Sequence, residues 1–360
     1  MRALLAVMAL AVAPCSLGES LPAISAAPSD SSTAPTLGGG TTSLPPLMAG
    51  TTTTATTAAP TTTAASANPV SPAVVTTEPA PVPPEQPAGL SDGVVRAAFY
   101  YGWFPQGWKQ QGYDPFTMYQ PAIGYYSSSD VATIAQQIAS MQYGHLDAGI
   151  LSWWGQGTRT DQAVPLDLQA AAGTPWKWTL YYEAEGSADP GVGQIQSDLA
   201  YIADRYVGDP SYLHLNGKPV IFVYGDPGDS CGMSDRWAQA NAVMGFYVVL
   251  KVFSGYRTCG TQPDSWHQYG PAKDVSEVKG HSYSVSPGFD KPGESGPRLE
   301  RDPARFEQSV QAMVASGQPL QLVTTFNEWG EGTSVENANE WASASGYGIY
   351  LDILHAIVPA

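Results

Sequence analysis

The sequence predicts an α/β protein in which a single (β/α)8 TIM-type barrel follows a signal peptide and a disordered Thr/Pro-rich stalk. Near residue 93 a Thr-, Ala- and Pro-rich region ends and a Trp- and Tyr-rich region begins. In the later region, apolar runs alternate with helix-compatible segments, which is typical of parallel strands with crossover helices. Acidic and aromatic residues follow most of these runs, at the place where barrel enzymes carry their sites.

Residues 1–18, MRALLAVMALAVAPCSLG, combine an early arginine with an apolar run and small residues. This pattern predicts a signal peptide. The run is too short to span a bilayer comfortably, and Ala13-Pro14 before Cys15 fits a lipid-attachment site poorly. We therefore expect no membrane insertion after signal removal, and a protein that is secreted or tethered at the cell surface.

Residues 19–93 are dominated by Thr, Ala, Pro and Ser, as in GTTTTATTAAPTTTAASANP. Such a composition buries too little apolar area to offset its ordering entropy, which predicts a disordered linker. Thr and Pro at this density suit O-glycosylation outside the cell, but composition leaves an unmodified spacer equally open.

Residues 94–360 form one predicted domain, with a size that suits a single barrel. Six apolar runs are predicted strands, two weaker runs would complete eight, and a doubly wound open sheet remains the alternative. The strong runs are VVRAAFYYGWF, HLDAGILSWWG, WKWTLYYEAEG, KPVIFVYGD, GFYVVLKVFSG and LQLVTTFNEWGEG; the weak runs are SWHQYGP and KGHSYSVSPG. The predicted helices include DVATIAQQIASMQ, GQIQSDLAYIADRYV and DPARFEQSVQAMVASG.

Cysteine and charge content restrict the function. Once Cys15 leaves with the signal, Cys231 and Cys259 remain, and two cysteines in an exported domain predict a disulfide. No CxxC spacing occurs and the five histidines are scattered, so no metal site is predicted, and no glycine-rich nucleotide motif opens a helix, so no cofactor is predicted. The net charge of −16 argues against nucleic acid. Acidic and aromatic residues together suit a polysaccharide or oligosaccharide partner.

Side chains at the carboxyl ends of the predicted strands are the candidate substrate-binding residues. Glu183 and Glu185 are expected on the same side, because side chains alternate along a strand. The alternatives without substrate contact are core packing for the aromatic residues, a hydrated loop for the acids and an ordinary polar contact for the histidine. The full set is Tyr101, Trp103, Trp153, Trp154, Tyr182, Glu183, Glu185, His281, Tyr283, Asn327, Trp329 and Glu336.

Five motifs in the predicted domain, FYYGWF, ILSWW, YYEAEG, GKPVIFVY and TTFNEWGEGTSVE, resemble glycoside hydrolase family 99, the endo-α-1,2-mannosidase and mannanase family, in the same order. The last motif is the specific one. The resemblance implies a (β/α)8 barrel, no metal, and retaining hydrolysis of an α-linked glycan. It departs at Gly330, where family members that cleave mannosides typically have histidine, so a different sugar or linkage is open here.

By the same resemblance, Glu328 would deprotonate the sugar 2-hydroxyl and Glu331 would protonate the departing oxygen, through a 1,2-anhydro sugar. The alternative for this pair is a structural role, in which acidic residues at a helix N-terminus interact favourably with the helix dipole. Glu336 would contact substrate or cap the loop. Two further hypotheses stay open: a glycosidase that opposes Glu183 or Glu185 to Glu328, and a carbohydrate-binding surface protein without turnover. We expect a monomer.

Overall fold

The computed structural model describes residues 93–360. The predicted signal peptide, 1–18, and all but the last residue of the predicted linker, 19–93, lie outside the described residues. Their boundaries therefore stay predictions, as does the attachment of any glycan to the linker. Among the described residues, no helix combines the length and the apolar character needed to cross a bilayer.

Eight parallel strands surround the centre of the domain, and two short strands pair antiparallel at its edges. The strands are β1 Val95–Tyr100, β2 Ala148–Trp153, β3 Lys177–Tyr182, β4 His214–Leu215, β5 Lys218–Val223, β6 Tyr247–Lys251, β7 Ser265–His267, β8 Val275–Val278, β9 Ser282–Val285 and β10 Leu320–Val323. Strands β4 and β8 are the antiparallel ones. The predicted parallel arrangement is confirmed, and both weak candidate strands are present as β7 and β9.

The sheet curls into a nearly closed barrel because its first and last parallel strands pair. Val95 of β1 lies in register with Leu320 of β10, and the order continues through β2, β3, β5, β6 and β7 on one side and β9 on the other. The described residues have no backbone ladder between β7 and β9. Side chains bridge that seam instead, since Ser284 Oγ donates to the carbonyl of Gln268 at 2.8 Å. The fold is an α/β TIM-type barrel, as predicted.

Helices connect the strands on the outside of the barrel. Asp130, Thr158, Ser230 and Asp302 cap four of them with a side-chain oxygen that accepts from the first turn. The three helices predicted from the sequence are confirmed as α1, α4 and α6. The helices are α1 Val131–Tyr143, α2 Arg159–Ala171, α3 Glu185–Ala188, α4 Val192–Arg205, α5 Cys231–Asn241, α6 Pro303–Ser316 and α7 Ile349–Ile357.

Alternate residues of each strand divide the apolar core into two layers. Phe99, Ile150 and Phe222 point into the barrel, where they form an inner core with other strand residues. Their neighbours point outward and pack with the helices in an outer core, to which Tyr100 and Leu151 belong. Which layer a strand residue joins therefore depends on its parity, and the parity decides which side chains reach the carboxyl-end opening of the barrel.

Cys231 and Cys259 form the predicted disulfide. It joins the first residue of α5 to the loop after β6, and it closes a segment with a sequence separation of 28. We expect the double variant Cys231→Ser/Cys259→Ser to lose about 3 to 4 kcal/mol of unfolding free energy, because the unfolded chain gains the entropy of that loop. Urea denaturation would measure it. An unchanged midpoint and slope would contradict the expectation.

Candidate active site

The loop after β10 brings two carboxylates to the carboxyl-end opening of the barrel. The backbone N–H of Glu328 donates to Thr325 Oγ1 at 2.8 Å, and the backbone N–H of Glu331 donates to Glu328 Oε1 at 3.1 Å. The side chain of Glu328 is buried and that of Glu331 is partly exposed. The loop thus holds the two acids in a tight turn, in which one carboxylate oxygen of Glu328 accepts a hydrogen bond from the backbone of the same loop.

The second oxygen of Glu328 is available to a substrate. Glu328 Oε2 is buried and has no hydrogen-bond partner among the described residues. A buried carboxylate oxygen without a donor is costly, so it is a natural place for a donor that arrives from outside. A sugar hydroxyl is such a donor.

Burial raises the pKa of both acids, and the charge of Glu331 raises that of Glu328 further. The pKa of Glu328 lies well above its ordinary value because the carboxyl is desolvated and because Glu331 is close. Burial also raises the pKa of Glu331, against which the charges of Lys291 and Arg298 act. Both carboxyls therefore bind a proton more firmly than an exposed glutamate does. A hydroxyl that donates to Glu328 Oε2 would favour the ionised form of Glu328.

Glu183 enters the same opening from the end of β3. Ser152 Oγ donates to Glu183 Oε1 at 2.8 Å, and Trp154 Nε1 donates to Ser152 Oγ at 3.1 Å. Burial raises the pKa of Glu183 to about 8; the charge of Glu331 adds to this increase and Lys251 opposes it. Glu183 is therefore a protonated carboxyl at neutral pH.

Aromatic side chains line the opening beside the acids. Tyr101, in the inner core, donates its hydroxyl to Tyr269 at 2.8 Å, and Trp103 packs on Tyr101 with ring centroids 4.5 Å apart. Asn327 holds the backbone of Tyr101 from both sides: its Oδ1 accepts from the N–H at 2.7 Å and its Nδ2 donates to the carbonyl at 3.1 Å. Asn327 thus positions Tyr101.

Several residues of this opening were not predicted as site residues. Lys251, at the end of β6, donates to the backbone carbonyl of Gly225 and lies 4.5 Å from the centroid of the Tyr224 ring. Burial lowers the pKa of Lys251 to about 8. Tyr269 lies in SWHQYGP, one of the two weak predicted runs, and Lys291 lies in an irregular loop. A lysine that ends an otherwise apolar run, VVLK, was a usable signal for Lys251.

The structure places Trp153 and Tyr182, two predicted substrate-binding residues, away from the barrel opening. Both are fully buried in the outer core. Trp153 Nε1 donates to Asp161 at 2.8 Å, and the Tyr182 hydroxyl donates to Asp198 at 2.7 Å. Because side chains alternate along a strand, these two face the helices while the neighbouring residue of each faces the barrel.

Glu185 does not share a side with Glu183, contrary to the prediction. Strand β3 ends at Tyr182, and the chain turns into α3 at Glu185, so the period of two no longer applies. The Glu185 carboxylate accepts from the guanidinium of Arg236 and, at 2.8 Å, from Trp237 Nε1. It belongs to the packing of α5 and not to the barrel opening.

His281 and Tyr283, also predicted to bind substrate, lie away from the acids as well. His281 precedes β9, at the amino end of a parallel strand, and its Nδ1 lies 3.3 Å from Ser265 Oγ at the start of β7. Tyr283 faces the outer core. The amino ends of the strands open on the face of the barrel opposite the acids, so neither side chain reaches them.

The side chains of Trp329 and Glu336 are buried and hydrogen-bonded to each other, so they support the loop after β10. Trp329 is fully buried, and its Nε1 donates to Glu336 at 3.0 Å. Glu336 also accepts from Gln137 at 2.7 Å and from the Tyr126 hydroxyl at 2.8 Å, and burial raises its pKa to about 7. Both carboxylate oxygens are thus occupied by protein donors, which favours the structural alternative for Glu336.

Phe116 fills the space above Gly330. A Cβ at Gly330 would lie 2.7 Å from Cε1 of Phe116 and 2.9 Å from Glu328 Oε1. The phenyl ring therefore stands where a side chain at residue 330 would project, directly beside the acids. The loop after β1 and the loop after β10 shape this part of the opening together.

We expect Gly330→Ala to destabilise the fold by about 1 to 3 kcal/mol, because the added methyl group overpacks this contact. Gly296→Ala is the matched control, since a Cβ there meets nothing within 4 Å. In a double-mutant cycle measured by thermal unfolding, Phe116→Ala should relieve much of the cost of Gly330→Ala. Additive losses would contradict the direct contact.

One carboxylate cluster among residues 93–360 has the spacing of a cation site. The ligand oxygens of Glu185, Asp189 and Asp229 all lie within 4.8 Å of one another. Arg236 donates to Glu185 and, at 3.0 Å, to Asp189. The protein itself thus supplies a positive charge to this cluster.

Comparison with known proteins shows that the chain is similar to one family of glycoside hydrolases. The model of the family described as glycosyl hydrolase family 99 matches residues 96–250. The chain is 25% identical over 296 residues to glycoprotein endo-alpha-1,2-mannosidase of Mus musculus, with 69% of this chain and 62% of that protein covered. Its counterpart in Rattus norvegicus is 24% identical with the same coverage. The chain thus spans about three fifths of the length of these relatives.

Solved structures show the same fold. A GH99 endo-alpha-mannosidase from Bacteroides thetaiotaomicron superposes with a TM-score of 0.60 at 21% identity, over 74% of this chain and 96% of that one. A glycoside hydrolase-like protein superposes with a TM-score of 0.56 at 17% identity, over 74% and 94% of the two chains. Taken together, the family model, the relatives and these structures support a glycoside hydrolase of family 99 or a family-99-like protein.

Proposed function

We propose that this protein is a secreted glycoside hydrolase that cleaves an α-linked, mannan-like glycan with retention. The observation that carries the proposal is the pair Glu328 and Glu331, joined through a backbone hydrogen bond of 3.1 Å, with a buried and unpartnered Oε2 on Glu328. The pair stands at the carboxyl-end opening of a TIM-type barrel, where such enzymes carry their sites. The similar mouse and rat proteins are glycoprotein endo-alpha-1,2-mannosidases, which suggests the linkage.

In the proposed reaction, Glu328 takes the proton of the sugar 2-hydroxyl and the 2-oxygen attacks the anomeric carbon of the same ring. The bond to the departing sugar breaks, and Glu331 gives its proton to the departing oxygen. Water then opens the 1,2-anhydro sugar at the anomeric carbon, Glu331 takes a proton from that water, and Glu328 returns its proton to the 2-oxygen. Two inversions at one carbon give retention.

This reaction restricts which bonds can break. The sugar on the cleaved bond needs a free 2-hydroxyl, so a mannose that is substituted at its 2-position cannot react. A suitable test substrate is an α-1,2-mannotriose capped by an α-1,3-linked mannose, because the second mannose then keeps its 2-hydroxyl. The same oligosaccharide with a 2-deoxy sugar at that position lacks the attacking group.

The experiment measures product release from α-linked mannans, glucomannosides, arabinose-containing polysaccharides and the capped oligosaccharide, with proton NMR of the first-formed anomer. We expect the capped oligosaccharide to be cleaved with retention and its 2-deoxy analogue to be inert. Binding without cleavage of any glycan would replace the proposal with a non-catalytic carbohydrate-binding role.

A second mechanism would oppose Glu183 to Glu328 or Glu331, as in glycosidases with two facing carboxylates. Its supporting observation is that burial keeps Glu183 protonated near neutral pH, with a pKa of about 8, which suits a general acid. That mechanism, in its retaining form, passes through an ester with the enzyme and does not need the 2-hydroxyl. A 2-deoxy-2-fluoro glycosyl fluoride should label the protein only if this alternative operates.

We also propose that the enzyme works outside the cell as a monomer on the linker of residues 19–93. The Cys231–Cys259 disulfide suits an oxidising compartment. Mass spectrometry of the protein recovered from the medium or the cell surface would show whether the chain begins after residue 18, and size-exclusion chromatography with light scattering would give its oligomeric state.

A further inference from the structure

The loop between β1 and α1 carries most of the exposed apolar side chains. Among residues 93–360, five large apolar or aromatic side chains are exposed, and four of them are on this loop. The four are Tyr113, Met118, Ile123 and Tyr125. The loop follows the carboxyl end of β1, so it borders the opening that holds the acids. An exposed apolar side chain beside a site is a candidate for contact with substrate, and its neighbours show whether it lies near the acids.

Tyr113 is connected to the acids through Phe116. The ring centroids of Tyr113 and Phe116 are 6.0 Å apart, and Phe116 lies over Gly330, where an added Cβ would also be 2.9 Å from Glu328 Oε1. Tyr113 is 43% exposed while Phe116 is buried. An aromatic surface therefore runs from solvent to the catalytic loop.

The neighbours of Tyr113 place it on the Glu331 side of the pair. Its hydroxyl would lie 3.0 Å from a Cβ on Gly293. In the same loop, the backbone N–H of Asp290 donates to the carbonyl of Glu331 at 2.9 Å. Lys291 Nζ lies 5.9 Å from the centroid of Phe116, and its charge lowers the pKa of Glu331. One edge of Tyr113 is thus held by the loop that also contacts Glu331.

We propose that Tyr113 is a stacking platform for a sugar unit of the leaving group, beyond the bond that is cleaved. The inference rests on the proposed function, in which Glu331 protonates the departing oxygen and so lies next to the leaving group. The C–H face of a pyranose packs on an aromatic ring, and a tyrosine held at one edge with its face partly in water offers that ring at little entropic cost.

Tyr125 is the matched control. It is on the same loop and is 47% exposed, but its ring contact is with Trp108, at a centroid distance of 5.2 Å. Both tyrosines should tolerate truncation similarly, so a difference between Tyr113→Ala and Tyr125→Ala reports on binding. Tyr113→Phe keeps the ring and removes only the hydroxyl.

Two substrates separate the leaving group from the rest of the site. Cleavage of the α-1,3-capped α-1,2-mannotriose releases a disaccharide as the leaving group. Cleavage of α-1,3-mannobiosyl fluoride releases fluoride instead. We expect Tyr113→Ala to lower kcat/KM for the oligosaccharide about threefold to tenfold, mainly through KM. The fluoride should react as with the wild type. Tyr113→Phe and Tyr125→Ala should retain the wild-type value for both.

Equal losses on both substrates, or equal losses in Tyr113→Ala and Tyr125→Ala, would overturn the platform while leaving the hydrolase intact. Calorimetry with α-1,2-mannobiose, the departing product, is a readout without turnover. If the wild type cleaves neither substrate, the proposed function fails and this titration decides the platform alone. Weaker binding by Tyr113→Ala than by Tyr125→Ala supports it, and equal binding or no binding to the wild type overturns it.

Discussion

Replacing Glu331 with Gln is expected to lower kcat/KM for an oligosaccharide by about 10²- to 10⁴-fold, because the departing sugar oxygen then receives no proton. The loss should be much smaller for a glycosyl fluoride, whose leaving group needs little protonation. Glu328→Gln should lose about as much on both substrates, because the attack of the 2-oxygen is what displaces either leaving group. The two carboxylates are thus distinguished by leaving group.

The measurement is kcat/KM of each variant on α-1,3-capped α-1,2-mannotriose and on α-1,3-mannobiosyl fluoride. Glu340→Gln is the control, since Glu340 is an exposed acid in the same part of the chain, and its variant should stay within about twofold of the wild type. Thermal unfolding checks that each variant is folded. Identical losses by Glu331→Gln on both substrates would remove Glu331 from the role of acid.

Glu183→Gln is expected to gain stability and lose activity. The pKa of Glu183 is raised from its ordinary value of 4.5 to about 8 by burial. Below pH 4.5 the carboxyl is protonated in both the folded and the unfolded chain, so it adds no pH dependence. As the pH rises from 4.5 to 8, the unfolded chain releases a proton that the folded chain keeps, and the folded state loses relative stability.

The substitution Glu183→Gln removes this pH-dependent loss of stability, because a neutral amide does not ionise. We expect Glu183→Gln to be more stable than the wild type at pH 8 by an amount approaching about 4 kcal/mol, and to match it near pH 4.5. Ser152 can still donate to the amide oxygen. Activity should fall by up to about tenfold, because the amide N–H that replaces the carboxyl O–H beside Glu331 is a longer and weaker hydrogen-bond donor to substrate.

Denaturant unfolding of both proteins between pH 4.5 and pH 8 would measure this difference. The comparison near pH 4.5 is the internal control, because any packing change caused by Gln appears there as well. A stability difference that does not grow with pH would show that Glu183 ionises normally. Greater stability with unchanged activity would show that Glu183 is buried without a role in the reaction.

Much of the fold follows from local pattern. Eight apolar runs, two of them weak, became the eight parallel strands, and the amphipathic segments 130–142, 193–207 and 302–317 became α1, α4 and α6. Helix α2 was not predicted and contains Pro165 in its interior, a residue that argues against a helix when read locally. Strand β8 was not predicted, because its sequence has no apolar pattern. Its pairing with β9, rather than burial, orders it.

The candidate acids could be found from the sequence because a short motif after the last strand holds both of them. The predicted site residues that lie away from the opening share a physical cause, because the side a residue faces and the point where a strand ends depend on the tertiary structure. Trp153 is adjacent to Trp154 in sequence, yet it faces the helices, and Glu185 left the opening because β3 ended earlier than its pattern suggested.

By itself the sequence determined a barrel-sized α/β domain after a Thr-rich region, and it determined that Glu328 and Glu331 follow the last strand. Only the tertiary structure decided which side chains meet those acids. Ser152, Lys251 and Tyr269 come from three different strand ends, and barrel closure brings them to one opening. Burial in that opening also raises the pKa of Glu183. Local sequence encodes strand and helix propensity, whereas desolvation and side-chain convergence depend on contacts between distant segments.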